Sequence, residues 1–246
     1  MKLSLPNVTL LGIDCVNIER LLAAMDVCVK DIEFGKVKAL TSLETDDLRA
    51  VEIPPIESIE DFSRFCIEDL HEYVDTDFVL TVQYDGFILN PTSWTDDFLS
   101  YDYVGAPWLV ADWSVNLFSF PKELLGKKIV GNGGFSLRSK KYLETSSRLA
   151  KQGKFPKTHP EDTALCVWYR DIMEKAGIKF APVELAQNFS VEGEAWTYAN
   201  QFGFHGFGWT DISAWIARHP EYKLITKEYL AAREKRRIRQ EARAKK

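Results

Sequence analysis

Four short polar segments, far apart in the chain, carry the residue types from which a group-transfer reaction could be built. The first follows the apolar run FVLTV and reads Gln83-Tyr84-Asp85-Gly86. A carboxylate at a strand end followed by glycine offers a hard oxygen ligand and a tight turn, which suits a divalent cation facing a diphosphate. Asp-Gly is also among the commonest turn dipeptides, so this segment alone predicts no more than a turn.

The second segment, VGNGGFSLR over residues 130–138, is dense in glycine. Three glycines within four positions allow the backbone to pass close to a ligand. The segment lacks the Lys-Ser/Thr of a phosphate-binding P-loop, and no long apolar helix follows it in the Rossmann manner, which excludes an ATP or NAD loop. A β-bulge or tight turn at the start of a strand fits it equally well.

The third and fourth segments supply a pair of acids and a histidine. Glu161 and Asp162 precede the run TALCVWYRDIM, and His205 lies in Phe-Gly-Phe-His-Gly. Helix capping explains one of the two acids, and the other is free to face a cleft and remove a proton from a hydroxyl. A histidine between glycines could complete a metal site, although a lone histidine among aromatic residues is more often part of the core.

Strands and helices that alternate in the first third of the chain are expected to position these segments. Apolar runs predict strands over residues 7–13, 34–40, 51–53 and 78–82, and helical spacing predicts helices over residues 17–29 and after Ser58. This alternation predicts a parallel sheet with helices on both faces. Ligands of such sheets bind at the carboxyl ends of the strands, so Asp14, Thr41 and the Gln83–Asp85 turn are expected on one rim.

The pattern changes after residue 83, where turns and aromatic residues replace regular helix. Helices are predicted over residues 140–151 and 163–176, with Gly177 as a C-cap, and again from about Lys227. A short strand is predicted over residues 178–181. With 246 residues, 46% of them hydrophobic, the chain is expected to form one α/β domain over residues 1–222, with a βαβ front half (1–82) and an irregular rear half (83–222).

Charge is unevenly distributed. Residues 223–246 contain ten Lys or Arg and three Glu, a balance of +7, so the net charge of −5 leaves −12 on the first 222 residues. An acidic body argues against nucleic-acid binding, which requires basic surface. The basic tail is expected to be a solvated helix or a contact with an anionic membrane face or a partner.

The cysteine pattern and the N-terminus bear on location. The four cysteines, Cys15, Cys28, Cys66 and Cys166, form no CxxC pair and no metal-ligand cluster, which predicts free thiols in a reducing compartment. We find neither a signal-peptide pattern nor an apolar run long enough to span a membrane. The expected location is therefore cytoplasmic, with peripheral membrane contact through the basic tail as an addition.

Taken together and in order, the four segments resemble the GT-A glycosyltransferases. The β-1,4-galactosyltransferase type has a comparable Gly-Gly-Val-Ser strand and a Glu-Asp helix start. Five segments are similar to a family of small bacterial and viral proteins of unknown function assigned to that superfamily. They are QYDGFILNPTSWTDDFLSYDYVGAPW, VGNGGFSLRS, PEDTALC, FAPVELAQNFSVE and FGFHG. The resemblance covers roughly residues 7–209. It implies a GT-A-like, Rossmann-like fold with a central mixed, mostly parallel sheet flanked by helices.

The resemblance also implies roles for individual residues. Asp85 matches the last acid of the Asp-x-Asp metal motif, His205 the late metal ligand, and Asp162 the general base of inverting members, with Glu161 beside it. Gly133 and Gly134 match the strand between donor sugar and acceptor. The rim position of Gln83, Asp14 and Thr41 assigns these three to the donor side, and the resemblance assigns Trp94 and Trp108 to the acceptor platform. The front half then binds the nucleotide, and the rear half the metal and the acceptor. Gln83 departs from the pattern because many members have an acid there, which puts dependence on Mn²⁺ or Mg²⁺ in question.

The function expected from this resemblance is inverting, divalent-metal-assisted transfer of a sugar from a nucleotide-sugar donor to a glycan or other hydroxyl acceptor, in surface polysaccharide or glycan synthesis. Two alternatives stay open. One is a non-catalytic carbohydrate-binding module on a degenerate transferase fold, which the amide of Gln83 favours. The other is a nucleotidyltransferase or sugar-nucleotide hydrolase on a similar sheet.

Overall fold

The front half of the chain is a βαβ arrangement. A computed structural model describes residues 2–193 and 198–244. Its first elements are β1 (Leu3–Ile13), α1 (Ile18–Lys30), β2 (Ile32–Thr41), β3 (Ala50–Glu52), α2 (Ile59–Glu68), a 3₁₀ turn (Leu70–Tyr73) and β4 (Phe78–Val82). The predicted strands and helices of this half are all present. As predicted, the Ser58 hydroxyl caps α2 by accepting a hydrogen bond from the Asp61 N–H at 3.0 Å.

The rear half consists of short elements joined by turns. They are 3₁₀ turns at Pro91–Ser93, Asp96–Ser100 and Lys122–Leu124, the strands β5 (Tyr103–Gly105), β6 (Pro107–Leu109), β7 (Lys128–Val130) and β8 (Ser136–Ser139), and the helices α3 (Asp112–Phe118) and α4 (Lys140–Lys151). After these come α5 (Glu161–Thr163), a π-helical segment (Ala164–Trp168), α6 (Arg170–Lys175), α7 (Val183–Phe189), β9 (Ser190–Glu192), β10 (Gly203–His205), α8 (Ser213–Arg218) and α9 (Lys223–Ala244).

Six strands form one mixed, mostly parallel sheet in the order β3-β2-β1-β4-β8-β5. The first four are parallel to their neighbours, whereas β8 is antiparallel to both β4 and β5. Residues 8–12 of β1 are buried because this strand has partners on both edges and helices cover the faces. The fold class predicted from the sequence is therefore confirmed. Two further two-stranded sheets, β9 with β10 and β6 with β7, stand beside the main sheet.

The sheet brings the turn after β4 and the turn before β8 together at one edge. β4 and β8 run side by side in opposite directions, with Thr81 opposite Ser136. The end of β4 therefore lies next to the start of β8. This is the geometry that places the Gln83–Gly86 turn beside the glycine-rich turn.

Three predicted elements differ from the observed ones. The strand predicted over residues 178–181 is a single bridge between Phe180 and Tyr103, because its neighbour β5 has only three residues and Pro182 has no N–H to extend a ladder. The helix predicted over residues 163–176 begins at Glu161 and is interrupted by the π-helical segment. The C-terminal helix begins at Lys223 rather than Lys227. Gly177, with φ of +88°, ends α6 as predicted.

One hydrophobic core joins residues of both halves, from Leu10 in β1 to Phe135 before β8. The functional boundary at residue 82 and the domain limits at 1–222 and 223–246 stay predictions. All four cysteines are free; Cys28, Cys66 and Cys166 are buried and Cys15 is partly exposed. None of the helices in residues 2–193 and 198–244 is both long enough and apolar enough to cross a membrane.

Candidate functional site

A closed turn follows β4 and presents the first candidate acid. The backbone N–H of Gln83 donates to the Gly86 carbonyl at 2.9 Å, and the Gly86 N–H donates back to the Gln83 carbonyl at 3.1 Å. A Cβ on Gly86 would lie 2.8 Å from the His205 ring and 2.9 Å from the Gly134 carbonyl. The Gly206 N–H donates to the Asp85 carbonyl at 2.7 Å. Glycine at position 86 thus allows three distant segments to meet at Asp85.

His205 is held from both of its ring nitrogens. Strand β10 pairs in parallel with β9, and the register sets His205 opposite Glu192. Nδ1 of His205 lies 2.7 Å from Oε1 of Glu192, and Nε2 lies 3.2 Å from Oε1 of Gln83 and 3.7 Å from Oδ1 of Asp85. Oε2 of Glu192 accepts a hydrogen bond from Nε1 of Trp108 at 2.5 Å. The ring therefore has a fixed orientation, with Nε2 facing the Gln83–Gly86 turn.

The pKa of His205 depends on burial and on the acids around it. Burial lowers the pKa of His205, but the carboxylates of Glu192, Asp85 and Asp162 together outweigh burial and raise that pKa to about 9. Burial raises the pKa of Asp85, and the nearby His205 opposes that rise. The cluster is thus a cationic ring between two acids when it holds no cation.

Three ligand atoms that face one another fit a divalent cation: Nε2 of His205, Oδ1 of Asp85 and Oε1 of Gln83. Ligand distances of about 2.0–2.6 Å leave two ligands of one ion roughly 3–4 Å apart, which matches the observed 3.2 and 3.7 Å. The carboxylate on the other ring nitrogen is the usual support of a metal-bound histidine. Within the described residues no group of three or more His, Cys, Asp or Glu side chains could hold a metal, so this donor set depends on the Gln83 amide. A cation that binds here also displaces the imidazole proton.

The glycine-rich turn before β8 forms the wall opposite. Asn132 has a left-handed backbone (φ of +70°), and its Oδ1 accepts a hydrogen bond from the Gly134 N–H at 2.9 Å. A Cβ on Gly134 would stand 2.1 Å from Nε2 of His205, and one on Gly133 would stand 2.0 Å from Oε1 of Glu161. Both glycines are therefore required by close approach, and the turn separates His205 from the acid pair.

Asp162 is brought to this turn by the start of α5. Its Oδ2 accepts a hydrogen bond from the Gly133 N–H at 2.9 Å, and its Oδ1 accepts one from the Thr163 N–H at 2.7 Å. Burial, and after it the charge of Glu161, raises the pKa of Asp162 to about 7. The side chain keeps partial exposure to solvent. It can therefore exchange a proton with a ligand near neutral pH.

Glu161 faces the other way and serves the scaffold. Its Oε1 accepts from the Arg138 guanidinium at 3.3 Å, and both side chains are buried. The same guanidinium donates to the Gly133 carbonyl at 3.1 Å and to the Ser136 hydroxyl at 2.9 Å. This buried pair fixes the glycine-rich turn from behind. The structure thus directs one member of the Glu-Asp pair into the core and leaves Asp162 on the open side.

Two predicted donor residues, Asp14 and Thr41, lie on the sheet rim. Their side chains are already hydrogen-bonded to neighbouring parts of the protein. The Asp14 carboxylate accepts from the backbone N–H groups of Val16 and Asn17 and from Arg20 at 2.7 Å. The Thr41 hydroxyl donates to the Asp14 carbonyl at 2.7 Å. These bonds order the loop between β1 and α1.

The two predicted acceptor tryptophans lie in different places. Trp94 packs edge-on against Phe98 and Phe202, and its Nε1 donates to Asp96. Trp108 lies over Gly131, where a Cβ would be 2.3 Å from the ring, and reaches Glu192. Of the two, Trp108 is the one connected to the His205 cluster.

Two residues of this region carry no assignment from the sequence. Glu192 lies in the run FSVEG, and only the register of β9 against β10 shows that it faces His205. Arg20 lies in α1, with its guanidinium 3.9 Å from the centre of the Tyr84 ring and thus close to the Asp85 turn. Arg20 gave no separate signal, because an arginine on an amphipathic helix normally faces solvent.

Comparison with known proteins gives a family and a fold. Residues 47–208 match the model of a family described as "Protein of unknown function (DUF5672)". No curated protein matches this sequence. Among solved structures, the galactosyltransferase LgtC, in complex with donor and acceptor sugar analogs, is similar with a TM-score of 0.52 and 16% identity; the match covers 89% of this chain and 95% of LgtC.

Two further structures are similar at lower scores. The glycosyltransferase GlyE of Streptococcus pneumoniae has a TM-score of 0.44 and 12% identity, over 94% of this chain and 64% of GlyE. The glucosyl-3-phosphoglycerate synthase of Mycobacterium tuberculosis, in complex with Mn²⁺ and uridine-diphosphate-glucose, has a TM-score of 0.35 and 15% identity, over 56% of this chain and 57% of the synthase. The likeness to LgtC shows a glycosyltransferase-like fold.

Proposed function

The chain belongs to the DUF5672 family of proteins of unknown function, and we propose that it is a glycosyltransferase that moves a sugar from a nucleotide-sugar donor to a hydroxyl of a glycan or other acceptor. The observation that carries this proposal is the convergence of Asp162 and the His205–Asp85–Gln83 cluster on the two faces of one turn, Gly133–Gly134. A base and a site for a departing diphosphate are the two parts that such a transfer needs.

The proposed reaction is a single displacement with inversion. The acceptor hydroxyl gives its proton to the Asp162 carboxylate, and its oxygen bonds to the anomeric carbon. The bond from that carbon to the diphosphate breaks, and its electron pair leaves with the diphosphate. Both Asp162 oxygens already accept one backbone hydrogen bond, and each keeps a second lone pair for the incoming proton. A general base of this kind contributes about 10²–10⁴ in rate.

The leaving diphosphate is proposed to lie at the Gln83–Gly86 turn. Asp85 and His205, with the amide oxygen of Gln83, would hold Mn²⁺ or Mg²⁺ there. When bound, the cation neutralises charge on the leaving group. Glu192 keeps the His205 ring aimed at this point, and Gly133 with Gly134 borders the sugar.

Other residues are assigned supporting roles. Asp14 and Thr41 order the nucleotide side of the rim, and Trp108 marks the acceptor side, with Trp94 farther from the cluster. Glu161 holds the turn through Arg138. We place the activity in the cytoplasm, in agreement with four free thiols, and in surface polysaccharide or glycan assembly, which rests on the family likeness of the motifs alone.

The first experiment is a panel of nucleotide sugars, incubated with the protein and Mn²⁺, Mg²⁺ or a chelator, with release of nucleoside diphosphate as the readout. We expect one donor class to be hydrolysed slowly, and faster with metal and an acceptor glycan. His205→Gln is expected to abolish the gain from metal, whereas His219→Gln, which changes a partly buried histidine beside Glu221, keeps it.

Two outcomes would replace the proposal. Equal turnover with and without every acceptor, or release of pyrophosphate, identifies a hydrolase or nucleotidyltransferase. Binding of glycans with no response to any nucleotide or metal identifies a carbohydrate-binding module.

A further inference from the structure

A cavity with a volume of about 170 Å³ lies beside the His205 cluster. It opens between the start of β6, the end of α7, strand β9 and the segment that leads into β10. Its lining consists of Pro107, Gln187, Asn188, Ser190, Val191 and Gln201. Neither the proton transfer nor the cation site described above uses these residues.

Ser190 brings a buried hydroxyl group to the cavity lining. Its side chain is 1% exposed, and within the described part of the chain its hydroxyl has no hydrogen-bond partner. Buried hydroxyls are nearly always bonded, because an unmade hydrogen bond leaves the desolvation of the group uncompensated. Ser190 is part of the cavity lining, so rotation of its side chain would allow a ligand hydroxyl there to make this bond.

Among the residues that the structure describes, the lining is polar and carries no charged side chain. Three carboxamides and one hydroxyl are combined with the apolar surfaces of Pro107 and Val191. Nδ2 of Asn188 donates to the Glu184 carbonyl, which leaves its Oδ1 as an acceptor; Oε1 of Gln201 accepts from the Ala199 N–H, which leaves its amide hydrogens as donors. Side-chain amides both donate and accept, as sugar hydroxyls do. This chemistry fits a neutral, hydroxyl-rich ring and not an anion.

The size of the cavity limits the ligand. Pockets that hold drug-sized molecules measure roughly 300–1,000 Å³. At about 170 Å³ this cavity has room for a single sugar ring.

The cavity borders the proposed catalytic site. Ser190 and Glu192 are two residues apart in β9, so their side chains leave the same face of the strand about 7 Å apart. Pro107 precedes Trp108, whose Nε1 bonds to the same Glu192. A ring in the cavity therefore lies next to the residues that hold His205.

We propose that this cavity binds one neutral monosaccharide unit of the acceptor, through Ser190 and the carboxamides of Gln187, Asn188 and Gln201. The inference rests on the proposed transferase function and names the acceptor class: a neutral sugar. The residues that bind the acceptor are then these four, and not the two tryptophans, Trp94 and Trp108, that the sequence predicted.

Binding is tested without turnover. Saturation-transfer NMR of the full chain is recorded with methyl glycosides of glucose, galactose, mannose and N-acetylglucosamine, and with glucuronate and glucose 6-phosphate as charged probes. At least one neutral glycoside is expected to bind at millimolar concentration, and the charged probes at least tenfold more weakly. Absence of binding by every neutral glycoside, or tighter binding by a charged probe, would overturn the inference.

Two variants locate the binding. Ser190→Ala removes the unpartnered hydroxyl, so it is expected to leave the melting temperature unchanged or higher and to weaken the glycoside about fivefold to tenfold. Gln187→Phe, at an exposed position on the rim, is expected to block the cavity and abolish binding. Gln152→Phe makes the same change at an exposed position after α4 and is expected to bind as the unaltered chain does. Unchanged glycoside binding in both cavity variants would place the sugar elsewhere and refute the assignment.

The two proposals fail in different ways. Binding of nucleoside diphosphate is measured on the same variants by calorimetry. Nucleotide binding without any glycoside binding refutes the cavity alone. Glycoside binding that Gln187→Phe removes, with no response to any nucleotide, refutes the transferase and keeps the sugar site.

Discussion

Asp162 is the residue on which the proposed chemistry depends most directly. Burial and the neighbouring Glu161 raise its pKa to about 7, so the carboxyl is mostly protonated below that pH and mostly a base above it. At a saturating metal concentration, transfer is therefore expected to rise about tenfold per pH unit below 7 and to level off above it. Initial rates of nucleoside diphosphate release with acceptor, measured from pH 5 to 9, check this profile.

The Asp162→Asn substitution is expected to reduce transfer at least a hundredfold, because the amide cannot take the proton. Donor affinity, measured by calorimetry, is expected to change less than threefold. Asp171→Asn, an exposed aspartate in the first turn of α6, is the matched control and is expected to be as active as the unaltered chain. Near-normal turnover by Asp162→Asn would remove this residue from the mechanism.

Glu192 supports His205, a ligand of the proposed metal site, from the side that faces away from the cation. It accepts from Trp108 with one oxygen and holds Nδ1 of His205 with the other. Loss of such an outer support typically costs about 10–100-fold in metal affinity. Glu192→Gln is therefore expected to weaken Mn²⁺ at least tenfold, measured by calorimetry in the presence of nucleoside diphosphate.

Glu184→Gln changes an exposed glutamate of α7 and is expected to leave Mn²⁺ affinity unaltered. Equal Mn²⁺ affinity in the two variants would show that the orientation of His205 does not depend on Glu192.

At this scale the sequence predicted the site only in part. Asp85, Asp162 and His205 follow from the order of the motifs, and the structure brings all three to one turn; their catalytic and metal roles stay predictions. Glu192 could not be found, because its partner is thirteen residues away and is selected by the register of two three-residue strands. Glu161 and Asp162 are adjacent and chemically alike, and only the position of buried Arg138 distinguishes them.

At the scale of elements, the turn before β8 depends on the absence of side chains at its two central glycines. A Cβ on Gly134 would stand 2.1 Å from His205, which must then move away from Asp85 and Gln83. Gly134→Ala is therefore expected to weaken Mn²⁺ and nucleotide binding at least tenfold. Circular dichroism and calorimetry together separate this loss from unfolding.

Gly208→Ala provides the comparison, because a Cβ there meets nothing within 4 Å and the backbone is not left-handed. It is expected to bind Mn²⁺ and nucleotide as the unaltered chain does. If Gly134→Ala also binds Mn²⁺ and nucleotide normally, the ring of His205 can shift without loss of binding. The close approach of residue 134 to His205 is then not required for the site.

Element boundaries were predictable where one pattern governs the whole element. Strand β4 and helix α4 have the predicted bounds, because a continuous apolar run and a regular helical spacing each define them. The helix after Asp162 was predicted without its interruption. There the Tyr169 N–H donates to the Ala164 carbonyl five residues earlier, a bond that is typical of a π-helical turn.

At the scale of the whole molecule, the C-terminal helix has two parts with different surroundings. Ile225 and Tyr229 are buried against the body, the Tyr229 hydroxyl donates to Asp211, and Arg233 reaches the Gly208 carbonyl. The predicted solvated helix therefore describes the end of α9 and not its beginning. Hydrophobic contacts fix the first turns, and these contacts were hard to predict because apolar positions are sparse in this part of the chain.

The segment 235–246 has seven basic and one acidic residue, a net +6, against the acidic body. Each basic side chain near an anionic surface contributes about 1 kcal/mol. The chain is therefore expected to bind phosphatidylserine vesicles, and removal of residues 235–246 is expected to abolish binding without lowering the melting temperature, since Ile225 and Tyr229, which pack α9 into the core, lie before residue 235. Lys235→Gln with Arg239→Gln is expected to weaken vesicle binding at least tenfold in sedimentation assays, whereas Lys151→Gln with Lys154→Gln, two exposed lysines at the end of α4, leaves it unchanged. Equal loss in both pairs would mean that overall charge, and not this segment, controls membrane contact.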